Sequence, residues 1–135
     1  MLLDSVVVAG FLDSQDAFHV SADQRVRALA GRDRLIASVV SYAEVLTGAA
    51  LGHHDQETVL GFFADLIDDV LPVDREVAER TARLRAAKAQ LRMPDALILA
   101  TAAVHGADLV IGADRRWAGI PGYPCEVELL RAGRG

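Results

Sequence analysis

Two short runs, Met1-Leu2-Leu3 and Leu109-Val110-Ile111, are apolar with no alternation at all. A strand that carries apolar side chains on both faces needs cover on both faces, which points to a parallel sheet sandwiched between helices. The rest of the chain supplies those helices. Apolar Val6 to Leu12 follows the first strand, and Phe18, Val20, Ala22, Val26, Leu29 and Ala30 predict a second helix over Ser14 to Leu29. Arg34 to Val39 reads as the second strand, and Ser41-Tyr42-Ala43-Glu44 opens a helix that stops between Gly48 and Gly52. Glu57 to Ile67 is amphipathic, and Val70-Leu71-Pro72-Val73 is a short strand whose proline places it at an edge. Asp74 to Leu91 carries Val77, Thr81, Leu84 and Leu91 on one face, with Arg80, Arg83, Arg85 and Lys88 around the rest. Ala96 to Val104, opened by Pro94-Asp95 and closed by His105-Gly106, is apolar nearly all round and belongs in the interior. Val127 to Leu130 is the last candidate strand. Helices alternating with short buried strands define an α/β fold.

At 135 residues the chain makes one domain, expected over residues 1–131, with residues 132–135 a disordered tail. Only 5% of residues are aromatic, so the core is built from Ala, Val, Leu and Ile. The single cysteine, Cys125, excludes an intrachain disulfide and suits a reducing compartment. The N-terminus has no basic region, and Asp4 interrupts its first apolar stretch, unlike a secretion signal. The longest uncharged apolar run, Ala96 to Val104, is far short of the roughly 20 residues a bilayer demands. A cytoplasmic protein without a membrane partner is the expectation. A net charge of −5 argues against a DNA-coating protein but leaves a nuclease open, because a carboxylate site holds phosphate through its metal ions.

Four acids fall where functional groups gather in such sheets, outside the carboxyl ends of the strands. Asp4 directly follows the first strand, Glu44 lies one helical turn past the second, Asp114 lies three residues past Ile111, and Asp95 begins the buried apolar helix. Each also has a purely structural reading. Asp4 is placed to be an N-cap, and Ser41 to Glu44 spells a capping box. Asp95 suits the first turn of a helix dipole, and Asp114 suits a turn. Together they offer oxygen ligands to a hard cation such as Mg²⁺ or Mn²⁺, which would relieve their mutual repulsion and support phosphodiester hydrolysis. No Cys or His pattern suggests zinc, and the adjacent pair His53-His54 points its side chains apart.

The segments Met1-Leu2-Leu3-Asp4-Ser5, Ser38 to Glu44, Arg92 to Ala102 and Val110 to Trp117 resemble, in order and spacing, the PIN-domain motifs of VapC-like toxins, and the likeness spans essentially the whole chain. Its most specific part surrounds Asp95. The resemblance implies a three-layer α/β/α PIN-like sandwich with a short central parallel sheet. It implies a Mg²⁺- or Mn²⁺-dependent endoribonuclease acting on tRNA or ribosomal RNA, a cognate VapB-like antitoxin and a homodimer. Asp4 and Asp95 would be the principal metal ligands, with Glu44 and Asp114 completing the catalytic site. Ser5 keeps the hydroxyl expected after the first acid. Gly112 departs from the Thr or Ser that often stands two residues before the last one.

Arg92, Arg115 and Arg116 flank two of the acids, where they can contact RNA phosphates or neutralise the acids themselves. Trp117 is placed to stack on a base or to pack behind its strand. Two rivals remain. A phospho-accepting receiver domain would want two adjacent acids after its first strand and a lysine after a later one, whereas Ser5 follows Asp4 and Lys88 lies within a helix. A catalytically silent PIN-like interaction module would have no need of all four acids.

Overall fold

The computed structural model describes residues 1–133. Five strands, β1 (Leu2–Leu3), β2 (Ile36–Ser38), β3 (Asp69–Leu71), β4 (Leu109–Gly112) and β5 (Glu126–Leu129), form one sheet in the order β3-β2-β1-β4-β5. Every pairing is parallel. Six helices connect them: α1 (Ser5–Leu12), α2 (His19–Leu29), α3 (Val39–Ala50), α4 (Gln56–Leu66), α5 (Arg75–Ala87) and α6 (Met93–Val104). The chain winds outward from β1 through β2 to β3, then crosses back to lay β4 on the free side of β1. Strand order therefore reverses between β1 and β4, the kind of crevice where doubly wound sheets bind ligands.

The register explains the layers. Leu2 stands opposite Ile36 and Val110, and all three join α5 and α6 in one core. One residue on, Leu3, Ala37 and Ile111 face the other way and pack with α1 to α4 in a second core. That alternation sandwiches the sheet, as the wholly apolar strands require. Helix α6 buries Ala96, Ile98, Leu99, Ala100 and Ala102, the interior helix read from its composition. Strand β3, ended by Pro72, is an edge strand.

The strands and α6 shift by one to three residues from the sequence reading, and three helix boundaries differ for a visible reason. Helix α2 starts at His19 rather than Ser14, because Asp13 and Asp16 accept hydrogen bonds from the Gln15 and Phe18 amides and hold the chain in turns. Helix α5 ends at Ala87, and Leu91 reaches the core from the turn beyond it. Helix α3 starts at Val39, with Ser38 as its N-cap, accepting from the Val40 amide at 3.1 Å. Of the tail, the Gly133 amide donates to the Ala17 carbonyl at 2.9 Å, while residues 134 and 135 lie outside the described residues. Among the described residues no helix is long and apolar enough to cross a membrane.

Candidate active site

Asp4 leaves β1 and Asp114 follows β4, so the two strands on either side of the topological switch each deliver a carboxylate to the same end of the sheet. Helix α3 leaves β2 at that end and carries Glu44 in its second turn, and α6 begins there with Asp95 in its first. The four acids line one open cleft of about 560 Å³, together with Ser5, Phe18, Arg92, Arg115 and Arg116.

Asp4 sits in the N-cap position of α1 but makes no capping hydrogen bond. It is 8% exposed, and burial is the main reason its carboxyl is pushed up to about 7. The Ser5 and Val6 amides point toward it and pull the value down, while Glu44 and Asp95 push it up by repulsion. Glu44 is exposed on the cleft wall, and the capping box that would have explained it does not form. Ser38 has taken the N-cap, so Ser41 lies inside the helix with its Oγ buried and unpartnered. Glu44 is thus free of the structural duty its spacing suggested.

Asp95 is 7% exposed and accepts from Arg92 Nε at 3.0 Å. Asp114 does act as a cap, taking the Arg116 amide at 2.9 Å. The Arg116 side chain also grips both its oxygens, from Nε at 3.0 and 3.1 Å and from Nη2 at 2.6 Å. That hydrogen bonding holds the Asp114 carboxyl below its usual range. Arg115 is exposed on the same cleft and makes no ion pair among the described residues.

Sequence reasoning missed Phe18, which reads as one more apolar position of a helix but stands in the cleft wall just before α2. Trp117 does not face the cleft: it is 1% exposed and packs in the α5–α6 core. It also explains Gly112. A β-carbon at that position would lie 2.7 Å from Trp117 Cζ3, so the indole fills the space a Ser or Thr would need.

The donor chemistry fits a hard divalent cation: carboxylate oxygens, two of the acids nearly buried, and Asp4 without a cationic partner among the described residues. The side chains do not stand as a finished ligand set, since among the described residues no three Asp, Glu, His or Cys come close enough to share one ion. Two of the four are turned to arginine instead.

A three-layer doubly wound domain with acids converging at its switch point defines a carboxylate-site α/β protein. The family model for the PIN domain matches residues 1–123, and the chain belongs to that family, whose VapC-type members are nucleases. Among solved structures it is similar to a toxin–antitoxin complex from Klebsiella pneumoniae, at 29% identity and a TM-score of 0.71 over 94% of each chain. It is similar also to VapBC-5 from Mycobacterium tuberculosis, at 28% identity and a TM-score of 0.62 over 97% of each chain. FitAcB from Neisseria gonorrhoeae shares the fold, at 23% identity and a TM-score of 0.70 over 93% of this chain and 94% of that one. No curated protein matches the chain. The fold is that of the VapC-like toxins of toxin–antitoxin pairs.

Proposed function

We propose that this chain is the endoribonuclease toxin of a toxin–antitoxin pair, dependent on Mg²⁺ or Mn²⁺ and acting at the cleft of Asp4, Glu44, Asp95 and Asp114. The observation that carries the reading is Asp4, a nearly buried carboxylate with no cationic partner among the described residues, raised to about 7 and facing two further acids. Such a group is costly to ionise unless a cation joins it. Asp4 and Asp95 would hold the ion, with Glu44 and Asp114 completing its surroundings. Bound there, a divalent cation supplies an activated water and stabilises the leaving oxygen of a phosphodiester.

The remaining roles belong to the chain's own side chains. Arg115, exposed at the mouth, is placed to bind a phosphate of the RNA backbone. Phe18 offers an apolar surface to a nucleotide in the cleft. The Ser5 hydroxyl, next to Asp4, is positioned to orient a water. A tRNA or ribosomal RNA is the proposed substrate class.

The proposed partner is a VapB-like antitoxin, supported by the likeness to a solved toxin–antitoxin complex and to a member of the VapBC family of toxin–antitoxin systems. A chain of net charge −5 with an acidic cleft suits a basic segment that orders on binding. A homodimer and a cytoplasmic location complete the proposal. The test is cleavage of total tRNA and ribosomal RNA by the purified chain, with Mn²⁺ or Mg²⁺ and with EDTA. Cleavage should require the metal and fall sharply in Glu44→Gln, while stability, read by denaturant melts, should not fall, because Glu44 is exposed and caps nothing. Expression of the chain alone should slow bacterial growth, and Asp4→Asn should not. A folded, partner-free wild type that neither cuts RNA nor slows growth would leave the silent interaction module as the better reading.

A further inference from the structure

The four acids of the cleft fall into two kinds. Among the described residues Asp4 and Glu44 pair with no arginine, whereas Asp95 and Asp114 are each held by an arginine only three and two residues away. The tethers are short and the backbone beneath them is regular: Arg92 occupies the N-cap position of α6, and Arg116 lies in the 3₁₀ turn Arg115–Trp117 that Trp117 anchors in the core. These arginines cannot move far, but their side chains are free to rotate, being 64% and 44% exposed against 10% and 24% for the acids they hold. The pairing occupies one oxygen of Asp95 and both of Asp114, oxygens a cation at this cleft would otherwise take.

We propose that Arg92 and Arg116 are exchangeable counter-ions. They hold Asp95 and Asp114 until a divalent cation takes those oxygens, and the released guanidinium groups then grip the RNA phosphate. This inference rests on the divalent-cation reading of the cleft. Two physical points support it. A pair whose guanidinium stands in solvent is screened on that side, so a doubly charged ion shared among several carboxylates displaces it. A guanidinium stays charged at any working pH, so once displaced it seeks another anion, and its planar fork matches two oxygens of a phosphate. The site thereby exchanges one set of ion pairs for another, and positive charge is turned toward the substrate when the metal is in place. Arg115, on the same cleft without an acid partner among the described residues, contributes its field but holds no carboxylate to release.

The experiment is calorimetric titration of Mn²⁺ into the full chain, comparing wild type, Arg92→Gln, Arg116→Gln and Arg115→Gln. Removing any of the three positive charges favours a cation through the general field, so Arg115→Gln sets the baseline. Against it, Arg92→Gln and Arg116→Gln should each bind Mn²⁺ about two- to fivefold more tightly, the scale of one ion pair open to solvent on its arginine side. In saturating Mn²⁺ the same two variants should bind a single-stranded phosphorothioate RNA more weakly than wild type, as fluorescence anisotropy reads. A gain in metal affinity beyond that of Arg115→Gln, joined to a loss of RNA affinity in the same variant, is what a merely structural ion pair would not produce. If the wild type binds Mn²⁺ but Arg92→Gln and Arg116→Gln match Arg115→Gln, the exchange is wrong and the metal site stands. If the wild type binds no Mn²⁺, both fall together.

Discussion

Both ends of the sheet carry aspartates, and they could hardly be treated more differently. At the amino end, Asp33, Asp65, Asp68, Asp69 and Asp108 are all exposed. Two of them have structural work: Asp68 accepts from the Leu35 amide at 2.8 Å, and Asp69 pairs with Arg34 at 3.2 Å. Water solvates these charges, and a recess of about 480 Å³ there is an open fold of the surface. At the carboxyl end, Asp4 and Asp95 are 8% and 7% exposed, and Asp4 has no donor strong enough to offset its burial. The number of acids is therefore no guide to a site. What marks the carboxyl end is withdrawal from water, which at Asp4 no charged partner among the described residues compensates, a cost that a fold retains when a ligand relieves it.

The sharpest way to break this contrast is to remove one charge at each end. Asp4→Asn or Asp95→Asn should lower RNA cleavage by about a hundredfold or more, the scale of losing one group that stabilises the reacting charge. Asp68→Asn should leave cleavage near wild type, because Asn still accepts from the Leu35 amide. Equal losses at both ends would abolish the distinction.

Stability against pH should separate the ends next. In metal-free buffer the folded Asp4 keeps its proton up to about 7, whereas the unfolded chain releases it near 3.8. Between those values the native state binds more protons, so stability falls as pH rises, and the loss is complete above pH 7. Asp4→Asn escapes that loss. It should match wild type near pH 4 and exceed it by a few kcal/mol at pH 8, about 1.4 for each pH unit between the two values. Denaturant melts at several pH values check this, and a gap independent of pH would contradict it.

A smaller effect tests the turn that carries Asp114. Gly112→Thr should destabilise the fold by about 1–3 kcal/mol, because the new side chain meets the Trp117 ring. Combining it with Trp117→Leu should cost less than the sum of the two single changes, since the pair shares one space. The smallest effect belongs to the amino end: Arg34→Ala, which breaks the exposed pair with Asp69, should change stability by no more than about 1 kcal/mol.

The layered architecture was legible because it follows from unalternating apolar strands and one all-apolar helix, signals that burial alone produces. So was the common edge of the four acids, since each follows a strand or opens a helix. Local hydrogen bonding was harder to read. Ser41-x-x-Glu44 matches a capping box, yet Ser38 reached the helix start first, a choice fixed by where β2 ends. The Asp13 and Asp16 turns cut short a helix whose apolar spacing continued through them. Pairing was equally hidden: nothing in the order Arg-Met-Pro-Asp tells whether Arg92 faces solvent or turns back onto Asp95. Gly112 looked like a lost hydroxyl until Trp117 was found in its space, a contact between a strand and the turn after it that spacing does not encode.

The central claim, that the buried acids at the carboxyl end await a divalent cation, is tested most directly by thermal melting with and without Mn²⁺. A ligand that binds only the folded state stabilises it by about 2.7 kcal/mol at a hundred times its Kd. Wild type and Asp68→Asn should both show a Tm that climbs with Mn²⁺ concentration, while Asp4→Asn and Asp95→Asn lose most of that rise and still melt cooperatively. A wild-type Tm indifferent to Mn²⁺ and Mg²⁺, or an equal rise in all four proteins, would contradict it.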